Sequence, residues 1–307
     1  MDRGSGCNDA YRAAERALWR RYGLEPSERF IEAGPARTRV RVTEVGQGPP
    51  VIFIGGTGGT GPYWAPLLKE FDVRALIIDR PGFGCSDAVA YAGDGYATLV
   101  AQLLSDVLDG LEVEEATVAG ASIGDVWAMI AAERLPERVS RVVLLGGGPL
   151  TEEITPPPFI RLLRSPVGAL IVRVPQRPRM VRSQLRQMGH GASVDAGRFP
   201  DEFFEWHVAL SRSTRSMRNE RAMVQAVLGR GGFIPDLLFG TARRALVKQP
   251  VLMVVGSADP VGSVDAWTRF TDGLPDGTLR VVDDGGHLPW WDDPARVAGW
   301  VRAHVDR

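Results

Sequence analysis

Apolar residues in this chain fall into two alternating rhythms. Short continuous runs at Val51 to Gly55, Arg74 to Asp79, Ala116 to Ala119 and Arg141 to Leu145 predict buried strands. Between them, stretches with helical spacing at Tyr63 to Phe71, Tyr96 to Gly110 and Ile123 to about Arg134 predict covering helices. Upstream, Asn8 to Tyr22 predicts an amphipathic leader helix, and Arg29 to Ala33 and Thr38 to Val45 predict two strands divided by Gly34-Pro35. The rhythm stops at Gly146-Gly147-Gly148, gives way to an irregular helical pattern over 149–248, and resumes with a strand at Val251 to Val255. A helix at Val264 to Phe270, a strand at Leu279 to Val282 and a helix from Ala295 to Val305 complete it. Such alternation predicts an α/β fold, a mostly parallel sheet of about eight strands flanked by helices. The expected organisation is a core at 1–148 and 249–307, interrupted by a helical insertion at 149–248.

Composition narrows the classes without choosing among them. A chain of 307 residues with 44% hydrophobic and 24% charged content can bury a large core. No run is long enough for a membrane span, and the amino end lacks the apolar stretch of a secretory signal. Two cysteines, Cys7 and Cys85, provide neither a disulfide framework nor a multi-cysteine metal site, so a cytoplasmic, unbridged protein without metal is expected. The net charge of −1 gives no general attraction to nucleic acid or membrane. The charge is uneven, however: 149–248 holds sixteen Lys and Arg against eight Asp and Glu. That excess is either a solvated basic face or a basic lid favouring acidic or polarised substrates.

The chemistry centres on Gly120-Ala121-Ser122-Ile123-Gly124, where a serine sits between a predicted strand and a predicted helix. With 36 Gly and 14 Ser in the chain, chance supplies roughly 0.2 such patterns, so partners must decide its meaning. Serine needs a base, and the base needs a group to hold its tautomer. Of four histidines, His190 and His207 lie in the insertion, and His304 near the end of the last helix suggests a surface role. His287 follows Asp283-Asp284-Gly285-Gly286 at a strand's carboxyl end, where open α/β sheets place their sites. Asp259 lies after the strand at Val251 to Val255 and is the better orienting carboxylate than Asp283, Asp284, Asp292 or Asp293, which are too near His287 in sequence.

In the order Ser122, Asp259, His287, with Asp79-Arg80-Pro81-Gly82-Phe83-Gly84-Cys85-Ser86 and Gly286-His287-Leu288-Pro289, the chain resembles the α/β-hydrolase superfamily, in its serine esterase or lactonase-like branch. The resemblance runs from about Arg29 to Val305, and 149–248 corresponds to that family's variable cap or lid. It implies a Ser122-Asp259-His287 triad and an oxyanion hole made by the backbone N–H groups of Thr57 and Ile123. It also implies cleavage of a small-molecule ester or lactone through an acyl-enzyme, with no cofactor. The family's oxyanion loop starts with His-Gly, whereas here the histidine position is Gly55.

Gly56, Trp64, Phe83, Trp206, Leu288 and Trp290 are candidate pocket residues, although tryptophans beside loops also serve as core plugs. A serine nucleophile argues against the dehalogenase and epoxide hydrolase branches. Carbon-carbon bond hydrolases, lyases, acyltransferases and slow-turnover ligand receptors share the triad and stay open. One further pattern, Gly56-Thr57-Gly58-Gly59-Thr60-Gly61 with Asp79 ending the next strand, formally matches an NAD(P) site. Pro62 and the two preceding strands argue against an oxidoreductase. Sequence does not fix the oligomeric state.

Overall fold

The computed structural model describes residues 7–91, 95–148 and 150–307. Residues 1–6 of the amino end and residue 149, the expected start of the insertion, lie outside the described residues. The chain opens with α1 (Asp9–Arg21), whose first turn is capped by the Asn8 side chain accepting from the Tyr11 N–H. Then come β1 (Ser27–Ala33), β2 (Thr38–Val45), β3 (Pro50–Ile54), α2 (Ala65–Leu68), β4 (Arg74–Ile78), α3 (Tyr96–Gly110), β5 (Ala116–Ala121), α4 (Ile123–Arg134) and β6 (Val139–Leu145). Between β6 and the next strand run α5 (Pro158–Arg164), α6 (Gly168–Ile171), α7 (Pro178–Leu185), α8 (Gly191–Asp195), α9 (Asp201–Ser213), α10 (Ser216–Val227) and α11 (Thr241–Arg244). The chain ends with β7 (Val251–Gly256), α12 (Val264–Asp272), β8 (Gly277–Val282), α13 (Pro289–Asp292) and α14 (Pro294–Val305).

The eight strands form one sheet in the order β1-β2-β4-β3-β5-β6-β7-β8. The β1/β2 and β2/β4 pairs are antiparallel and all later pairs are parallel. The central strands β5 and β7 are buried at every position, as the continuous apolar runs require. Parallel registers such as Ile54 with Gly120, Ala121 with Leu145 and Gly256 with Val282 align the carboxyl ends of β3, β5, β6, β7 and β8. Four loops that carry candidate chemistry therefore open from one edge of the sheet.

Two apolar layers cover the sheet, one built on α3, α4 and α12, the other on α1, α2, α13 and α14. The second is rich in aromatics. Trp64 stacks on Trp290 with centroids 4.8 Å apart, and Phe199 stacks on Trp291 at 5.1 Å. Trp64, Trp206 and Trp290 are completely buried and Phe83 almost so, which corrects their reading as pocket walls. The three tryptophans join α9 and α13 to the layer on one side of the sheet, and Phe83 packs in the opposite layer beneath the Arg80 guanidinium.

Two further expectations are overturned. Cys7 and Cys85 form a disulfide, closing a loop with a sequence separation of 78. Two cysteines cannot make a framework of several bridges, but they can make one, and its closure stabilises by about 4 kcal/mol in the chain-entropy account. The bridge also removes the cysteine argument for a cytoplasmic location, since such bonds persist in oxidising compartments. His304, expected at the surface, is buried. It follows Val297 and Val301 on the inward stripe of α14, and burial lowers its pKa. No helix among the described residues is long and apolar enough to cross a membrane.

Candidate functional site

Ser122 sits at the tip of the turn from β5 into α4 with φ of 56° and ψ of −120°. That left-handed backbone is costly for a side chain with a Cβ, and it persists only where packing enforces it. The flanking glycines supply the packing. A Cβ on Gly120 would collide with the carbonyl of Gly124, and one on Gly124 with the carbonyl of Ile54. The glycine-flanked spacing in the sequence is thus a steric condition for the turn.

His287 and Asp259 come together from separate strand ends. The His287 Nδ1 lies 2.8 Å from Asp259 Oδ2, and the other carboxylate oxygen accepts the Val261 N–H at 2.9 Å. A proton on Nδ1 satisfies the carboxylate and leaves Nε2 as the basic nitrogen. The glycine run after β6 touches both loops: Gly146 abuts the His287 backbone, and Gly148 abuts the Ser122 backbone. Asp125, in the first turn of α4, braces the entry to that run by accepting the Leu145 backbone N–H at 3.1 Å. Burial pushes its carboxyl well above the usual range.

Gly56 lies against Ser122: a Cβ there would be 2.8 Å from the serine Cβ and 3.5 Å from Oγ. This brings the Gly56-Thr57 segment beside Ser122. Gly55 cannot carry the family's histidine in this loop, because its Cβ would run into the Gly59 carbonyl. Other groups brace the loop instead. Arg80, completely buried, donates to the Gly56 carbonyl at 2.8 Å, and Thr57 Oγ1 donates to Glu220 Oε1 of α10 at 2.9 Å. Arg80 and Glu220 face each other at 3.9 Å, and burial raises the Glu220 pKa. Sequence reasoning missed this bracing, since Glu220 is distant in the chain and sits in an unremarkable helical pattern.

It also missed a second histidine-carboxylate pair. His190 Nδ1 lies 2.9 Å from Asp292 Oδ1, while its Nε2 accepts the Leu288 N–H at 3.0 Å. The second contact fixes the tautomer, with the proton on Nδ1. Asp292 Oδ2 accepts the Gly286 N–H at 2.8 Å, and the Met188 carbonyl accepts the His287 N–H at 2.9 Å. Three consecutive backbone N–H groups, those of residues 286, 287 and 288, are therefore held around the His287 side chain. The chain reaches this position through Gly189 at φ of 88°, where a Cβ would strike the Ala258 carbonyl. Leu288, a candidate pocket residue, is buried and enters this arrangement through its N–H.

The dinucleotide pattern has another explanation. Asp79 is fully buried, and its Oδ2 accepts the Cys85 N–H at 3.1 Å and faces Arg41 Nη1 at 3.4 Å. It is unavailable to a ribose. Among the described residues no cluster of three or more His, Cys, Asp or Glu could hold a metal ion.

Comparisons with known proteins agree with this fold. The family model for the alpha/beta hydrolase fold matches residues 49–294. A 2-hydroxy-6-oxononadienedioate/2-hydroxy-6-oxononatrienedioate hydrolase of Paraburkholderia phymatum is 27% identical over 273 residues, covering 86% of this chain and 89% of that protein. The Escherichia coli K12 protein of the same name is 27% identical over 85% of this chain and 89% of its own. Among solved structures, naproxen esterase from Bacillus subtilis superposes with a TM-score of 0.74 at 20% identity, over 96% of this chain and 98% of its own. The 2-hydroxy-6-oxo-6-phenylhexa-2,4-dienoate hydrolase of Rhodococcus gives 0.74 at 18%, over 92% and 100%. With four fifths of its length matched by the family model, an eight-stranded sheet and a serine at the strained β5–α4 turn, the chain belongs to the α/β-hydrolase fold family.

Proposed function

We propose that the protein is a serine hydrolase that cleaves a carboxylic ester or lactone through an acyl-enzyme on Ser122. The observation that carries this reading is the 2.8 Å contact of His287 Nδ1 with Asp259, which leaves Nε2 free to act as base. His287 takes the Ser122 proton as Oγ attacks the carbonyl carbon. Asp259 stabilises the imidazolium, and the N–H groups of Thr57 and Ile123 hold the oxyanion. The alcohol leaves with the proton from His287, and water repeats the sequence on the acyl-enzyme. Segment 149–248 acts as the cap, and Glu220 on its α10 steadies the oxyanion loop. The reading needs no cofactor.

A second reading, hydrolysis of a carbon-carbon bond in a vinylogous diketone, is favoured by the names of the 27% identical relatives. The test is a panel of p-nitrophenyl esters, aryl lactones and a 2-hydroxy-6-oxodienoate, each run with the native protein and with Ser122→Ala. Ester cleavage with a burst of p-nitrophenol supports the first reading. Turnover of the dienoate alone replaces it with the second, and turnover of neither removes both.

On the same reading, His190 is a positioning residue. His190→Ala removes the acceptor for the Leu288 N–H, a loss of about 1–3 kcal/mol where the group stays buried. The expected result is a fall in kcat of roughly tenfold with KM within about twofold. His190→Gln, which offers an amide oxygen, should recover part of it. Equal losses of kcat in both variants, or a change confined to KM, would sink the role.

A further inference from the structure

Exposed apolar side chains on this molecule are concentrated in one place. Among the described residues, Phe159, Leu162, Val167, Leu170 and Val174 stand 43% to 65% exposed, and only Leu246 is comparable elsewhere. The helices that carry them are already packed. Leu163 of α5, with Ile160 and with Ile171 and Val172 of the α6 region, lies against Val224 and Leu228 near the end of α10. Phe159 and Leu162 leave α5 on its other side, and Val167, Leu170 and Val174 follow one another at i, i+3 and i+7 around α6 and the turn after it. These five side chains add nothing to the core.

The same segment has one sign of charge. Between Glu153 and Asp195 there are seven arginines and no acidic residue. Arg161, Arg173, Arg177 and Arg179 are exposed and form no salt bridge among the described residues. Large exposed apolar residues interspersed with unpaired cations are the composition of a face that lies in a membrane interface. We infer that the outer face of α5–α6 docks peripherally on an anionic phospholipid surface. This does not depend on the reaction assigned to Ser122.

Charge separates this occupant from the obvious alternative. A second copy placed on the same face would bring the two arginine sets together, and like-charge juxtaposition across an interface is costly. A lipid surface supplies the opposite charge and takes protruding side chains without a shaped groove. The face also has a bearing on the site, since α10 packs behind it: Arg221 donates to the Ser165 carbonyl on one side while Glu220 holds Thr57 on the other. Docking would set the roof of the oxyanion loop directly behind the membrane-facing layer.

The test is co-sedimentation of the full-length protein with vesicles of phosphatidylcholine alone or of equimolar phosphatidylcholine and phosphatidylglycerol. Binding to the anionic vesicles is expected, at least tenfold tighter than to the neutral ones and weakened by salt. Leu170→Ser with Val174→Ser should reduce it about tenfold or more. Arg173→Gln and Arg177→Gln should each reduce it about fivefold. All four positions are exposed, so melting temperature and circular dichroism should stay native and serve as the folding control. Absence of binding to the anionic vesicles would overturn the inference. So would binding indifferent to the apolar substitutions, which is plain electrostatic adsorption. Self-association in sedimentation velocity that the same substitutions abolish would also overturn it, by making the face a dimer contact.

Discussion

Ser122→Ala is expected to lower kcat/KM for short p-nitrophenyl esters by a factor on the order of 10⁴ to 10⁶, leaving KM and the melting temperature nearly unchanged. The size follows from the arrangement. On the proposed reading serine, histidine and aspartate act as one unit, so deleting the attacking oxygen removes acylation and leaves only binding and oxyanion stabilisation. The fold should not notice, because alanine keeps the Cβ that already tolerates φ of 56°, and the collisions that fix the turn involve Gly120 and Gly124. Asp259→Asn is a companion change with an expected loss of about 10⁴, because an amide can donate to Nδ1 and turn the imidazole to the wrong tautomer. Steady-state kinetics beside thermal unfolding decides both. An alanine variant with native turnover would remove Ser122 from the chemistry and the acyl-enzyme with it.

The largest effect on stability is expected at Arg41. Its guanidinium is buried, with both Nη atoms 2.8 Å from the Glu15 carboxylate, Nε 2.7 Å from Glu28 and Nη1 3.4 Å from Asp79. One cation thus ties α1, the β1 edge and the loop after β4. The pair with Glu15 need not beat a hydrophobic replacement of the whole cluster, since desolvation offsets much of the attraction. Removing the cation alone is a different matter. Arg41→Met leaves Glu15 and Asp79 as buried carboxylates without their counter-charge, a loss of about 3–5 kcal/mol. At roughly 2–4 °C per kcal/mol for domains somewhat smaller than this one, the melting temperature should fall by about 6–20 °C. A shift below about 2 °C would mean that the two carboxylates are neutral in the folded protein. Arg41→Met combined with Glu15→Gln should recover part of the loss, because one of the two buried carboxylates is then a neutral amide and Asp79 alone is left without its counter-charge.

Legibility of these features in the sequence followed the range of the forces involved. The helix bounds at Tyr96–Gly110 and Ile123–Arg134 and the strands around them could be read, because apolar periodicity is local and the parallel sheet buries both faces. The expected helix at Tyr63 to Phe71 became a 3-10 turn at Gly61–Trp64 followed by α2, since Pro62 and Pro66 interrupt the bonding pattern. The positions of Ser122, Asp259 and His287 in the loops after β5, β7 and β8 could be read, because strand ends are set by local patterning. His190 and Asp292 were not, because they are 102 positions apart and have no motif. The Cys7–Cys85 bridge was equally hidden, since spacing alone carries no signal for a single long-range pair. The tryptophans were ambiguous for another reason: a large aromatic beside a loop fits a core or a pocket equally well, and only packing decides.

The seating of residues 188–190 against the histidine loop has a consequence for how a substrate gets in. If segment 149–248 swung away as one rigid flap, the Met188 carbonyl would leave the His287 N–H and His190 would leave the Leu288 N–H. His287 would lose its mooring at the moment of opening. A doorway that disarms the machine behind it makes entry and reaction successive states, so traffic through an intact site has to pass where the helical layer does not anchor the histidine loop.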